Sequence, residues 1–359
     1  MASSLDRIKP NVRGLRAYSL SPHRAGVKIN QNENPWDAPA RIKEETQRRL
    51  EARQWSRYPD FVPASLHARL AEFSGWQPSG IIAGNGSNEL IQALLMVIVG
   101  PGKRVLISEP TFALYRQVTT VLGGEVISVP LTAELTYDQN ALQKTVSDLQ
   151  PDVTIICSPN NPTGWVLADE DLRALLEATN GLVVIDEAYH EFAEHSVVPL
   201  LCDHENLVVL RTFSKAMAMA ALRVGYLLAA SELASEISKA VLPYNLNAIS
   251  QTAAEVAVEM YDDELRPLVR KIIAERERLY DELSRIEGLT PVRSHANFMV
   301  VRSSIDPKQL FAELIKRDIL IRDVSGYPML RNYFRLSVGT PEENDLLVKS
   351  LREILGARR

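Results

Sequence analysis

The chain has 359 residues, 46% hydrophobic and 24% charged, the proportions of an ordinary globular protein long enough for one large domain and a smaller one. Its 40 basic and 45 acidic residues leave a net charge of -5, which argues against a broad attraction to nucleic acid or an anionic membrane, so any bound phosphate must be held locally. Two cysteines, Cys157 and Cys202, argue against a disulfide framework and for a reducing compartment. The start, Met1 to Arg7, lacks the apolar core of a secretion signal, and no apolar run is long enough to span a bilayer; the cytoplasm is therefore expected.

Residues 1–35 are irregular and are expected to form an N-terminal arm rather than a core element. From about Ile81 to Ala229, short β-branched runs alternate with helical patterns. Arg104 to Ser108, Glu125 to Val129, Val153 to Cys157, Leu182 to Asp186, Leu207 to Leu210 and Val224 to Ala229 read as strands. Most are apolar throughout, as strands covered on both faces by helices must be. The alternation predicts an α/β domain with a largely parallel sheet, assigned to residues 36–245. Residues 246–286 read as connecting helices, highly charged after Tyr261, with Pro267 starting or kinking one of them. Strands at Asn297 to Arg302 and Phe334 to Val338, with helices at Pro307 to Lys316 and Pro341 to Ile354, predict a small α+β domain over residues 287–359.

Polar motifs interrupt this apolar frame at strand ends, where open α/β sheets bind their ligands. Gly84-Asn85-Gly86-Ser87-Asn88-Glu89 follows a strand and opens a helix, so its backbone amides can seat a phosphate. It begins like a dinucleotide fingerprint, with Glu109 ending the next strand, but Glu89 replaces the third glycine. It reads as a monophosphate cup, or as a plain turn with a helix cap. Asn160-Asn161-Pro162-Thr163-Gly164 is built of turn formers and means little alone. Asp186 closes an apolar strand, and Tyr189 lies about one helical turn further on, so carboxylate and phenol can face one ligand. His190 and His195, beside Glu191, invite a zinc reading, but their i to i+5 spacing does not put both imidazoles on one helix face, and no metal is expected. Lys215 stands between an apolar strand and the small-residue run Ala216 to Ala221, a setting that lowers an amine's pKa and leaves it nucleophilic. Arg335 lies inside the apolar run Tyr333 to Ser337, either at a surface-facing edge or buried against an anionic partner.

Together these residues supply what pyridoxal phosphate chemistry needs. Lys215 is an amine that can hold the aldehyde as a Schiff base, and Asp186 an acid that can keep the pyridine nitrogen protonated. Asn161 and Tyr189 suit the ring's phenol oxygen, while Ser214 and Arg223 suit the phosphate. On this set the chain resembles the fold type I pyridoxal phosphate aminotransferases, and among them most the histidinol-phosphate aminotransferase family, from about Lys28 to Thr340. Further markers are Asn32-Glu33-Asn34-Pro35, Arg57-Tyr58-Pro59-Asp60 and Arg223-Val224-Gly225-Tyr226.

The resemblance implies an aspartate aminotransferase-like fold, a large domain that binds pyridoxal 5'-phosphate plus a smaller α+β domain. It implies that Lys215 holds the cofactor and shuttles the proton between the substrate α-carbon and the cofactor C4'. Asp186 is then the partner of the pyridine nitrogen, with Asn161 and Tyr189 on the phenol oxygen. Gly86, Ser87, Asn88, Ser214 and Arg223 would hold the phosphate, joined by Tyr58 from a second subunit of a homodimer. Phe112 sits where the family stacks an aromatic ring on the cofactor, many relatives having tyrosine there; a core aromatic is the other reading. Arg335 would take the substrate carboxylate or phosphate, and Arg322 and Tyr18 resemble further substrate contacts, though either could be a surface residue. Asn88 stands where relatives often have an acid, and Ala221 where many have glycine, which questions the turn before Arg223.

The expected reaction is ping-pong transamination between L-glutamate and imidazole acetol phosphate, a step of histidine biosynthesis. Aromatic amino acid transamination, or a phosphothreonine-type decarboxylation on the same scaffold, is the alternative within the class. A non-catalytic cofactor-binding module and a nicotinamide oxidoreductase built on the Gly84 segment are the alternatives outside it; no helix-turn-helix extension or basic patch supports the former.

Overall fold

The computed structural model describes residues 4–15, 17 and 22–356. Seven strands make the main sheet: β2 (Ile81–Gly84), β3 (Arg104–Glu109), β4 (Glu125–Pro130), β5 (Val153–Cys157), β6 (Leu182–Asp186), β7 (Leu207–Thr212) and β8 (Gly225–Ala229), after a short β1 (Val27–Lys28). Their order is β2-β8-β7-β6-β5-β3-β4. From β7 through β4 every neighbouring pair is parallel, and β8 alone runs antiparallel to both its neighbours.

The reason for the unbroken apolar runs is visible in the packing. Val183 and Ile185 face one hydrophobic core while Val184 between them faces another; Val209 is likewise opposed to Val208 and Leu210. Successive side chains of a strand point to opposite faces, so a strand covered on both sides needs an apolar residue at every position. After β3 the chain steps to β4 at the edge, then returns to β5 and builds outward the other way through β6, β7 and β8. The crevice beyond the strand ends at that reversal is where such sheets leave room for a ligand.

Strand limits differ from the sequence reading where charge misled it. β7 runs on past Leu210 to Arg211 and Thr212, because Arg211 is buried against a carboxylate: its Nε lies 2.9 Å from Glu187 Oε2, and both side chains are almost fully enclosed. Glu187 also accepts from Val197 N at 2.6 Å, and Arg211 Nη2 donates to Ser196 Oγ at 2.6 Å. β8 begins at Gly225, one residue later than expected.

A second sheet of four antiparallel strands has the order β12-β13-β10-β9, from β9 (Leu289–Pro291), β10 (Phe298–Ser303), β12 (Arg322–Asp323) and β13 (Tyr333–Ser337). Ahead of β12 lies β11 (Ile319–Leu320), which pairs in parallel with β1. Val27 and Ile29 are buried with Met299, Phe334 and Leu336, so these two residues of the expected arm pack into a core while Lys28 between them is exposed. Two alternating apolar residues are too short a signal to distinguish a strand from an irregular arm. Between the sheets, the helix Ala248–Glu259 passes through a π-helical turn, Tyr261–Leu265, into the helix Arg266–Ser284, with Pro267 in its first turn, where a missing N–H costs nothing. Tyr189, Phe192, Ala216, Ala296, Phe298 and Val338 form a separate small core at the junction of the two sheets.

Glu187→Ala is expected to destabilise the protein by about 3–5 kcal/mol, because it leaves the Arg211 guanidinium buried without its carboxylate. The double variant Glu187→Met with Arg211→Met should lose far less. Urea unfolding of the three proteins checks both expectations.

Candidate active site

Loops leaving the ends of β2, β3, β5, β6 and β7 converge on a cavity of about 480 Å³, closed from the other side by residues 30–33 and by Arg322 and Arg335 of the small sheet. Of the sequence-predicted residues it gathers Ser87, Asn88, Phe112, Asn161, Asp186, Tyr189, Ser214, Lys215, Arg223, Arg322 and Arg335. They come from stretches more than 240 residues apart, which only the topology could bring together.

One wall is an anion seat. The helix Ser87–Ile98 starts on Gly86, whose φ is +80°, and its first N–H groups have no partner within the helix. A Cβ on Gly86 would run into the Arg223 guanidinium, and one on Gly225 into the backbone of Gly86 and Ser87. Both glycines are therefore needed for the cup to close on β8. Arg223 Nη1 donates to Ser214 Oγ and to the Ala220 carbonyl, each at 3.0 Å, which directs the guanidinium toward the helix start. The left-handed residues of this turn are Ala218 and Arg223, and Ala221 is not among them. Alanine is thus acceptable at 221, and the doubt about that turn is removed. Glu89, in the place of a third glycine, accepts from Asn85 N at 2.6 Å and Asn245 Nδ2 at 2.8 Å, and so braces the cup. Glu109 is bonded to Arg116 and Ser128, not presented to a ribose.

At the floor, Asp186 is buried at the end of β6. Tyr115 donates its hydroxyl to Asp186 Oδ2 at 2.6 Å, and Ala188 N donates to Oδ1 at 3.0 Å. Burial raises the Asp186 pKa, and these two donors oppose the rise. The Tyr189 hydroxyl accepts from Asn32 Nδ2 at 3.1 Å and, at 3.5 Å, from Asn161 Nδ2; burial pushes this phenol upward and keeps it protonated. Asn161 Oδ1 in turn accepts from Arg335 Nη1 at 2.6 Å, while Arg335 Nη2 donates to the Asn30 carbonyl at 2.9 Å. The Arg335 guanidinium lies 5.3 Å from the Phe298 ring centroid, a cation–π distance. Arg322 and Arg335 are direct cross-strand partners, so both point to the same face of the small sheet.

Lys215 Nζ donates to the Gln31 carbonyl at 3.0 Å and lies 5.8 Å from the Tyr189 ring centroid. Burial, then the charge of Arg335, lowers its pKa to about 8, with Arg223 and Lys28 adding and Glu33 opposing. An ordinary lysine titrates above 10, so a much larger fraction of this amine is neutral near pH 7.

Sequence reasoning missed three supports. Tyr115, in the first turn of the helix Leu114–Leu122, stands three residues after Phe112, with the two rings edge-to-face at 5.6 Å; that spacing was the available signal. Asn32 and Asn34 were noticed as markers without a task. Asn32, held at φ +56°, braces Tyr189, and Asn34 Nδ2 reaches the Ala216 carbonyl at 3.3 Å behind Lys215. The residues not brought in are equally plain. Tyr58 is 80% exposed, stacked on Tyr244 at 4.5 Å, and does not line its own chain's cavity. Tyr18 lies outside the described residues. His190 Nδ1 is 3.0 Å from the Glu187 carbonyl, and His195 Nε2 is 2.9 Å from Asp169. Among the described residues no three His, Cys, Asp or Glu side chains are grouped to hold a metal.

Comparison with known proteins gives a consistent result. The sequence profile of the family described as aminotransferase class I and II matches residues 24–351. The chain is 42% identical to histidinol-phosphate aminotransferase 1 of Carboxydothermus hydrogenoformans over 92% of this chain and 93% of that one. It is 39% identical to the histidinol-phosphate aminotransferase of Chlorobium phaeobacteroides over 96% of each. Among solved structures, the histidinol-phosphate aminotransferase of Sinorhizobium meliloti in complex with pyridoxal-5'-phosphate superposes with a TM-score of 0.88 at 25% identity, covering 99% of this chain and all of that one.

A lysine whose pKa is depressed by folding subtracts stability at every pH below its unfolded value. The subtraction is complete below about 8 and fades as the pH rises from there toward 10.5. Lys215→Met, free of cofactor, should therefore be more stable than the parent protein at pH 7 by up to about 3 kcal/mol. Thermal melts from pH 7 to 10 should show the gap narrowing.

Proposed function

The chain belongs to the aminotransferase class I and II family, and from its likeness to histidinol-phosphate aminotransferases we propose that it moves an amino group between L-glutamate and imidazole acetol phosphate, giving 2-oxoglutarate and L-histidinol phosphate in histidine biosynthesis. It is a pyridoxal 5'-phosphate enzyme of fold type I, with the aspartate aminotransferase-like arrangement of a mostly parallel sheet flanked by helices. When bound, pyridoxal 5'-phosphate supplies an aldehyde that condenses with amines and a protonated ring that withdraws electrons.

The residues of the cavity fit that group. The Gly86 cup, with the N–H groups of Ser87 and Asn88, Ser214 Oγ and the Arg223 guanidinium, would hold the phosphate; a side chain at Gly86 would fill the space between cup and guanidinium. Asp186, buried and acceptor-rich, would face the ring nitrogen, and Asn161 and the protonated Tyr189 the phenol oxygen. Phe112, which lines the cavity, would stack on the cofactor ring. Lys215 Nζ, depressed to about 8, is nucleophilic enough to carry the aldehyde and basic enough to take and return the donor's α proton.

The observation that carries the substrate assignment is the pairing of Arg322 and Arg335 across β12 and β13, both of which line the cavity. Two guanidiniums suit a second, doubly charged phosphate as well as the two carboxylates of glutamate. Arg335 would meet the carboxylate in one half-reaction and the phosphate in the other, with Arg322 and Tyr18 assisting. Tyr58 would reach the cofactor phosphate of a partner in a homodimer; the exposed Trp55, Tyr58, Phe61 and Leu242 support such an interface. No helix among the described residues is long and apolar enough to cross a membrane, and a cytoplasmic enzyme with Cys157 and Cys202 as free thiols is the reading we adopt.

Amino transfer from glutamate, assayed with imidazole acetol phosphate and with phenylpyruvate, tests the proposal. The first should be the better acceptor by at least about 100-fold in kcat/KM, and a clear preference for phenylpyruvate would defeat it. The purified enzyme should absorb in the visible and lose that band on borohydride treatment. Lys215→Ala should abolish the band and lower kcat by at least about 100-fold.

A further inference from the structure

The Asp186 carboxylate receives two hydrogen bonds from the protein, and they differ in kind. The one from Ala188 N to Oδ1 is made by backbone, which nearly any residue could supply. The one to Oδ2, at 2.6 Å, is made by the Tyr115 hydroxyl and depends on the residue chosen at 115. Tyr115 has no exposed surface, and phenylalanine would fill the same volume, so packing does not explain the hydroxyl. A separation of 2.6 Å is what an O–H donor makes to a charged oxygen. The same ring makes a T-shaped contact with Phe112, at 86° between planes, so one side chain touches both the acid and the aromatic ring beside it.

We propose that Tyr115 is a positioning residue for Asp186, its hydroxyl holding the carboxylate in one rotamer as a charged acceptor with its remaining lone pair turned to the cavity. The proposal rests on Asp186 being the partner of the ring nitrogen. The groups around Asp186 leave this task to Tyr115. Glu187, next in the chain, favours protonation of Asp186, and Lys215 opposes it; burial is the largest influence and also favours protonation. Cys157, the cross-strand neighbour on β5, and the Tyr137 and Tyr189 phenols are themselves pushed up by burial and stay neutral. Without the 115 hydroxyl, only the Ala188 N–H and the charge of Lys215 remain to favour the carboxylate.

Difference infrared spectroscopy of the cofactor-free protein reads the ionisation of Asp186 directly, with Asp186→Asn as the blank. In Tyr115→Phe the protonation midpoint should rise by about one unit or more. In the loaded enzyme, kcat should fall about 10-fold or more while KM for glutamate stays within about threefold. A fluorotyrosine at 115, nearly equal in volume but a stronger donor, should move the midpoint the other way, which serves should the phenylalanine variant fold poorly. A midpoint that neither replacement moves would overturn the inference. A midpoint that rises in Tyr115→Phe with unchanged kcat would uphold the coupling and defeat the assignment of Asp186 to the ring nitrogen.

Discussion

Burial of charge at the carboxyl ends of apolar strands governs the rest of this structure. β6 and β7 are covered on both faces, so whatever leaves their ends leaves a low-dielectric interior. Asp186 and Lys215 stand there with opposite responses to the same cause: desolvation raises the carboxyl's pKa and lowers the amine's. Each change moves its group toward the neutral form, and each is useful in proportion to how well neighbours control it. The amine gains nucleophilicity. The carboxylate must be held charged by donors, and Tyr115 and Ala188 supply them.

The same constraint explains the residues that fill no catalytic role. Glu187 and Arg211 form a buried pair beside Asp186, each satisfying the other at the cost of desolvating both. With Ser196 and Tyr226 they tie β6, β7 and β8 into one rigid rim. The cup at Gly86 is likewise rigid because Gly225 lets β8 lie directly against it. A site assembled from five strand ends needs this stiffness, since a displacement at one end would misplace its residue against all the others.

The second sheet supplies what the first cannot. Its Arg335 reaches across to Asn161 and to the Asn30 carbonyl, and the Asn32 side chain joins Tyr189 to Ser337. Residues 30–34 thus join the two sheets at the cavity: anchored by Val27 and Ile29 in one core, they deliver Gln31 to Lys215 and Asn34 to the backbone behind it. The two sheets meet at the small core around Tyr189 and Phe298, and again where Val300 of β10 joins the core that holds Val183 and Ile185, so the residues proposed to hold cofactor and substrate come from both.

Much of this was legible in the chain. Runs rich in β-branched residues located β3 to β8 to within two residues, because strands covered on both faces are apolar at most positions. Polar residues ending those runs marked Asn161, Asp186 and Lys215, since only function or a turn puts them there. Sequence pattern could not reveal that β8 runs antiparallel, that Val27 and Ile29 are core, or that Arg211 belongs to a strand, because strand pairing and the neutralisation of a buried charge are made by partners distant in sequence. Tyr115, Asn32 and the facing of Arg322 with Arg335 were hidden for the same reason. The sequence by itself determined which chemical groups are present and that they stand at strand ends. Only the tertiary structure decided which groups share one desolvated space, and it is that shared burial which makes a lysine nucleophilic and a carboxylate dependent on its donors.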